Sequence, residues 1–194
     1  ESFTAGTDEL QPWGEGKGGE LFLEPFVPPP VVYIFGGGHV GGQICRLARG
    51  VGFGVVVIDD RPMFANAERH PDADECVVGD PAAVFEHLDL DERAFIVAAT
   101  RGHQHDEVVV EQAIRTRAGY VGMLGSERKK VTLWKRLAAR GSDPERLAQV
   151  YAPIGLNIGA DNPEEIAVSV VAELIQSRRA PRKVWKTKRA SVGG

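Results

Sequence analysis

The stretch VVYIFGGGHVGG, Val31 to Gly42, constrains the fold more than any other part of the chain. A β-branched and aromatic run leads straight into Gly36, Gly38 and Gly41, spaced as G-x-G-x-x-G, and a helical pattern then continues through Arg49. Each glycine has a physical task in such a turn. The first permits the tight change of direction, the second lets a pyrophosphate approach the backbone, and the third lets the helix pack closely on the strand. The amides of the helix N-terminus then face the phosphates. The candidate cradle is Gly36, Gly37, Gly38, His39, Val40 and Gly41, with His39 either a ligand contact or a side chain facing water. Valine at Gly38 or Gly41 is expected to block ligand binding and leave the fold largely intact.

The same strand signal recurs. GVVVIDD, ECVVGD, AFIVAAT, GYVGML and AQVYA bring the expected number of strands to six. Their near-continuous apolar runs indicate strands buried on both faces. Helical patterns lie around 104–117 and 127–140, a weaker one follows Pro81, and a last one carries Ile166, Val170 and Leu174 as its inward stripe. Asp161 or Asn162 caps this last helix, with Pro163, Glu164 and Glu165 in the first turn. Strands alternating with helices over short connections imply an α/β fold: a doubly wound, mainly parallel six-stranded sheet with helices on both faces, Rossmann-like.

That architecture places further residues beside the glycine turn. Asp59 ends the strand after the first helix, where a carboxylate accepts hydrogen bonds from an adenosine ribose and favours NAD-like over NADP-like ligands. Asp60 and Arg61 blur this preference, since Arg61 can meet a phosphate; the bland alternative is a polar turn closed by Pro62. The fourth strand runs into TRGHQHDEVV, so Thr100, Arg101, His103, His105 and Asp106 are expected at the crevice where the strand order reverses. A histidine at a helix N-terminus tends to be neutral. His103 reads as a ligand contact, with an H-x-H metal pair or plain loop structure as alternatives, the metal pair having no evident third ligand. Arg128, Lys129 and Lys130 follow the fifth strand; the lysines read as a solvated helix face. The Gly-rich APIGLNIGADNP is expected on the same edge of the sheet.

Residues 1–30, rich in Gly and Pro and ending in three prolines, read as a stiff linker or the remnant of a preceding domain. The short GELFLEP within them has strand character, and a first residue that is not Met suggests an excised or processed fragment. Residues 31–178 form the Rossmann-like domain and 179–194 a basic tail. The segment SRRAPRKVWKTKR carries seven basic residues and no acidic one, so the net charge of −4 conceals an acidic body. Such a body argues against wrapping nucleic acid. No apolar run approaches the roughly 20 residues of a membrane span, and no secretory signal pattern opens the chain, so a cytoplasmic location and no membrane partner are expected. Cys45 and Cys76 stand far apart in no metal-binding spacing and read as inert buried thiols. Edges around Trp134 and Trp185 are candidate contacts for a homo-oligomer.

The sequence has no Y-x-x-x-K pair, no G-x-x-x-x-G-K-[ST] loop, no Cys/His zinc set and no G-x-S-x-G elbow. It presents a cradle without evident catalytic machinery. Taken together, PPPVVYIFGGGHVGG, VVVIDDRPMFAN, TRGHQHD, GYVGMLGSERKK and PIGLNIGADNPEEIAVSVVAELI resemble the C-terminal domain of the XdhC family over about residues 20–178. These are accessory proteins for xanthine dehydrogenase and related molybdenum hydroxylases. The resemblance implies a chaperone rather than an enzyme: a protein that binds molybdenum cofactor (molybdopterin), aids its sulfuration with a cysteine desulfurase and delivers it to the apo-hydroxylase. It carries the nucleotide-type cradle onto Gly36 to Gly41, Asp59 to Arg61 and Thr100 to His103. Members of the family also have an N-terminal domain with its own motif, which this sequence lacks. An NAD-binding oxidoreductase domain with His103 or His105 as acid/base, and an NAD-sensing regulatory module, are the alternatives.

Overall fold

Continuous burial decides how the strands associate. β3 (Val31–Phe35), β4 (Gly54–Asp59), β5 (Glu75–Val78), β6 (Ala94–Ala98) and β7 (Tyr120–Met123) join in the order β5-β4-β3-β6-β7, every pairing parallel. This is a computed structural model, and it describes residues 10–13, 19–22 and 28–180. Every residue of β6 is buried, as is all of β4 beyond Gly54. Strands of that kind need cover on both faces, which only helical crossovers supply. The earlier β1 (Leu10–Trp13) and β2 (Gly19–Phe22) pair antiparallel as a separate two-stranded ribbon, in agreement with the strand character read in GELFLEP.

Side chains alternate between two cores. On one face Phe35, Ile58, Ile96 and Ala98 meet α2 (Pro81–Phe85), α3 (His103–Ala113), α4 (Glu127–Ala139) and α5 (Pro144–Leu147) through Val84, Val109, Val110, Leu133, Leu137 and Leu147. On the other, Val32, Ile34, Val57 and Val97 meet α1 (His39–Gly50) and α6 (Pro163–Arg179) through Ile44, Cys45, Val170 and Leu174. The expected stripe of α6 is therefore inward at Val170 and Leu174, while Ile166 is only partly buried. Burial pushes the Cys45 thiol up to about 12 and also raises Cys76, so neither sulfur is activated.

The sheet has five strands rather than six. The expected AQVYA strand is reduced to one parallel bridge, Gly122 to Tyr151. Tyr151 N–H donates to Val121 O at 2.9 Å and Met123 N–H to Tyr151 O at 2.9 Å, as a parallel ladder begins. The next donor to Met123 O would be residue 153, a proline without an N–H; Ile154 takes that carbonyl instead, at 3.0 Å, and the ladder stops. Upstream, Asp143 caps α5 and draws residues 144–147 into a helical turn. Trp134, expected at an exposed edge, is partly buried against the core, and Trp185 lies outside the described residues. The basic tail from residue 181 onward lies outside them as well, and no described helix is long and apolar enough to cross a membrane.

One polar group in the core ties the last helix to the edge of the sheet. Buried Glu173 accepts the Tyr120 hydroxyl and, through the same oxygen, Gly155 N–H at 3.1 Å. Burial, and then the neighbouring Glu173 carboxylate, push the Tyr120 phenol well above its ordinary value. Glu173→Leu strands both donors in the interior, and each such loss costs about 1–3 kcal/mol. Urea unfolding should therefore show a destabilisation of roughly 2–4 kcal/mol, while Glu173→Gln, which keeps an acceptor oxygen, retains most of the stability.

Candidate functional site

The glycine turn emerges from β3, the central strand, and its residues divide by what surrounds them. Gly36 has φ +118°, and a Cβ there would stand 2.2 Å from the Ala99 carbonyl oxygen. A Cβ on Gly37 would meet Phe64 O at 1.9 Å, and one on Gly41 would meet Gly36 O at 1.9 Å. These three glycines are required by the protein's own packing. Gly38 differs: its backbone is extended and nothing lies within 4 Å of a Cβ built on it. The open glycine stands where the G-x-G-x-x-G spacing puts the pyrophosphate approach. Valine at Gly41, in contrast, is incompatible with the fold, because a rigid backbone carbonyl occupies the space.

Helix termini show the same division. α2, α4, α5 and α6 are capped by the side chains of Asp80, Ser126, Asp143 and Asn162. α1 and α3 have no side-chain cap; their N-cap residues are Gly38 and Gly102, both with nothing within 4 Å of a Cβ. These two helices follow β3 and β6, adjacent strands at the point where the sheet order reverses. Two helix N-termini without side-chain caps therefore open on one crevice. His39 is exposed at the start of α1 and Val40 is half-buried. His103 begins α3, and its side chain lies outside the described part of the structure. Among the described residues no group of three His, Cys, Asp or Glu side chains is placed to hold a metal.

Asp59 is buried and fully engaged. Its Oδ2 accepts Gly37 N–H at 3.0 Å and Arg61 Nη2 at 3.1 Å, and its Oδ1 accepts Arg61 N–H at 3.1 Å and Nε at 2.9 Å. Burial alone would raise this carboxyl, but the hydrogen bonds from the Arg61 side chain and from the Gly37 and Arg61 amides outweigh it and hold it below its usual value. The Arg61 guanidinium also lies 3.7 Å from the Phe64 ring centre. Asp60 points outward and pairs with Arg101 at 3.0 Å.

Behind the crevice, Asp106 is completely buried. Its Oδ1 accepts Thr100 N–H at 3.1 Å and Thr100 Oγ1 at 2.7 Å, and its Oδ2 accepts Lys129 Nζ, which also donates to Leu124 O at 3.1 Å. Lys129 is thus not part of a solvated basic face; its side chain is 18% exposed and neutralises the carboxylate beneath the β6–α3 turn. Arg128 is exposed and lines, with Glu107, Ser126, Lys129 and Arg136, a cavity of about 400 Å³ beside α4. No residue of the glycine turn lines this cavity, so it is distinct from the crevice.

Two contributors had no signal in the sequence. His70, 3% exposed, donates from Nε2 to Phe64 O at 2.8 Å and packs against Gly37 and Gly42. Arg69 Nε donates to Gly37 O at 3.2 Å. The segment 61–70 therefore supports the turn from below. The Gly-rich loop after Ile154 is tied to α6 by Ser169 Oγ to Leu156 O at 2.6 Å, and α6 meets α1 through Gln43 and Glu164 at 3.0 Å.

Residues 32–174 match the family model of the XdhC Rossmann domain. A Bacillus subtilis (strain 168) protein named as a probable xanthine dehydrogenase subunit is 35% identical over 159 residues, which is 82% of this chain and 46% of that protein. The Escherichia coli (strain K12) protein YqeB, itself uncharacterized, is 32% identical over 166 residues, 84% of this chain and 30% of that one. Among solved structures, that of a xanthine dehydrogenase from Bacillus halodurans aligns with a TM-score of 0.70 and 34% identity, over 78% of this chain and 45% of the other. The chain thus spans less than half the length of the curated relatives it matches.

The engagement of Asp59 has a pH signature. A carboxyl held low in the folded state contributes stability that is fully present above its unfolded value, about 3.9, and is lost as pH falls through the lowered folded value. Asp59→Asn removes that contribution. Urea midpoints measured from pH 7 to pH 2 should show the variant less stable at neutral pH and the gap narrowing below about pH 4; parallel curves would remove Asp59 from this role.

Proposed function

The chain belongs to the XdhC Rossmann-domain family, and from that premise we propose that it forms the cofactor-holding part of an accessory protein for molybdenum hydroxylases of the xanthine dehydrogenase type. Its cargo in this reading is molybdenum cofactor, held while a cysteine desulfurase assists conversion to the sulfido form and then passed to the apo-hydroxylase. Residues 31–178 provide the cradle, residues 1–30 trail from a preceding domain, and 179–194 are a basic extension. The protein acts in the cytoplasm and supplies no catalytic residue of its own.

One observation carries this reading: the two helices that start at the crevice are the ones left without side-chain caps, and each begins at an open glycine. An Asn, Asp or Ser in place of glycine at an N-cap stabilises a helix by a few tenths of a kcal/mol. Its absence at both positions suits an anion that must reach the amides directly. Molybdopterin carries a phosphate, in some forms extended by a nucleotide, and the residues fit that group: Gly38, His39 and Val40 on one side, Gly102 and the first amides of α3 on the other. Arg101 adds a cation at the rim. The cofactor supplies the metal chemistry to the hydroxylase that receives it; this chain binds, orients and releases it.

The alternative of an NAD-dependent oxidoreductase or sensor would use Asp59 to grip a ribose. That carboxylate already accepts four hydrogen bonds within the protein, so a ribose would have to displace Arg61 or Gly37. The same commitment does not weaken phosphate binding at the helix termini.

Anaerobic calorimetry with molybdenum cofactor, NAD, NADP and AMP, run side by side on the native protein and Gly38→Val, tests the proposal. The native protein should prefer the pterin, and Gly38→Val should lose at least about tenfold in affinity, about 1.4 kcal/mol, with an unchanged circular dichroism spectrum and a melting temperature lowered by no more than a poorer N-cap costs, about 1 kcal/mol. Equal affinity in the folded variant would remove the glycine turn from the mechanism. Tight binding of NAD alone would return the protein to a sensor or a dehydrogenase half.

A further inference from the structure

The cross-strand pair Asp60–Arg101 occupies a position that neither the packing of the fold nor the glycine motif requires. Asp60 follows the end of β4 and Arg101 stands three residues beyond the end of β6, while β3 runs between these two strands. Neighbouring strands are about 4.8 Å apart, so the flanking strand ends are separated by about 10 Å. The ion pair, Arg101 Nη2 to Asp60 Oδ2 at 3.0 Å, therefore joins the two sides of the crevice past the point where Gly36 and Gly37 leave β3.

The backbone on each side is fixed. Next to Asp60, the Asp59 carboxylate holds Gly37 N–H and the amide and guanidinium of Arg61. Next to Arg101, buried Asp106 holds the amide and hydroxyl of Thr100 and is itself neutralised by Lys129. Both anchors are internally paired. What remains free to rearrange at the rim is the pair itself, with side chains 54% exposed for Arg101 and 31% for Asp60. Arg61 Nε stands 3.8 Å from Asp60, a second cation able to keep that carboxylate compensated when Arg101 leaves.

We infer that Asp60 and Arg101 form a charge clasp across the crevice, and that a phosphate-bearing ligand is admitted by exchanging for Asp60 as the partner of Arg101. The inference rests on the reading of the glycine turn as a ligand cradle and adds to it the determinant of selection. A half-exposed Asp–Arg pair holds weakly in water. A phosphate offers the same guanidinium more charge and a matching pair of oxygens. A neutral ligand offers nothing in exchange and leaves the pair as it stands. Asp60 thereby acts as an internal competitor that sets a threshold of ligand charge, and Arg101 as the group that reads it.

The test compares ADP with adenosine as calorimetric probes on the full chain, using the native protein, Asp60→Asn, Arg101→Gln and Gly38→Val. Both rim side chains are exposed, so their variants should melt with the native protein. Asp60→Asn should tighten ADP several-fold by releasing Arg101, and Arg101→Gln should weaken it about tenfold. Adenosine affinity should change less than twofold in either. If Gly38→Val abolishes ADP binding while Asp60→Asn and Arg101→Gln both bind like the native protein, the cradle stands and the clasp is overturned. If Asp60→Asn weakens ADP, the carboxylate is a ligand contact rather than a competitor, which also overturns the clasp. If the native protein and Gly38→Val bind ADP equally, the cradle reading fails and the clasp falls with it. If the native protein does not bind ADP at all, the clasp is overturned as a reader of phosphate, while the pterin titration of native protein against Gly38→Val still decides the cradle.

Discussion

At the C-terminal end of β3 the backbone comes closer to its neighbours than any side chain permits. Gly36 lies against the Ala99 carbonyl, Gly37 against that of Phe64, and Gly41 against that of Gly36. A turn made this tight leaves its own amides to be satisfied, and Asp59 does so for Gly37 from the end of the adjacent strand. The remaining architecture follows from these contacts. The β6–α3 turn has to approach Gly36, which fixes Thr100, and Thr100 is fixed in turn by buried Asp106 and Lys129. The segment 61–70 has to fold back under Gly37, which places Phe64, Arg69 and His70. The cradle is rigid because each of its walls is bonded to another part of the fold.

Rigidity of the walls contrasts with what they enclose. Among the described helices, α2, α4, α5 and α6 each have a side chain accepting a first-turn amide, and the two that follow the central strands β3 and β6 have none. Gly38 and Gly102 have empty space where a Cβ would go, whereas Gly36, Gly37 and Gly41 have none. Glycines of one motif therefore divide into those that the fold needs and those that it leaves open. The distinction is drawn from distances alone, and under the proposed function it changes how a substitution is read: loss of binding in a Gly41 variant would report on folding, and in a Gly38 variant on the ligand.

Local rules made much of this legible. The apolar runs gave all five strands their places, because burial on both faces leaves no polar alternation to misread. The Asn162 cap and Pro163 located the start of α6. The glycine spacing, read between a strand and a helix, located the crevice. Long-range pairing was the part that the sequence withheld. Lys129 resembles its solvated neighbours in a run of basic residues, and only the position of Asp106, 23 residues away, shows that it is buried. His70 is one histidine in a polar segment until the chain folds back beneath Gly37. The sixth strand is cut short from both ends: the helical turn capped by Asp143 holds the chain up to Val150, and the ladder beyond Tyr151 needs an N–H at position 153, which is proline.

The treatment of charge at the crevice explains why a ribose-gripping carboxylate is a poor description of Asp59. Two aspartates and two arginines meet there, and they form pairs of different kinds. Asp59 and Arg61 are bonded through two oxygens and two nitrogens, with the carboxylate buried and joined to a backbone amide, so separating them would leave a buried carboxylate and a loosened turn. Asp60 and Arg101 are joined by one contact at the rim, where water can replace either partner. In the proposed exchange an incoming ligand would meet the second pair, since a half-exposed pair changes partners at the least cost. The inner pair keeps the glycine turn in shape whether or not the outer one is closed. For a cofactor carrier of the kind proposed, that separation would let the rim open on release without unfolding the cradle.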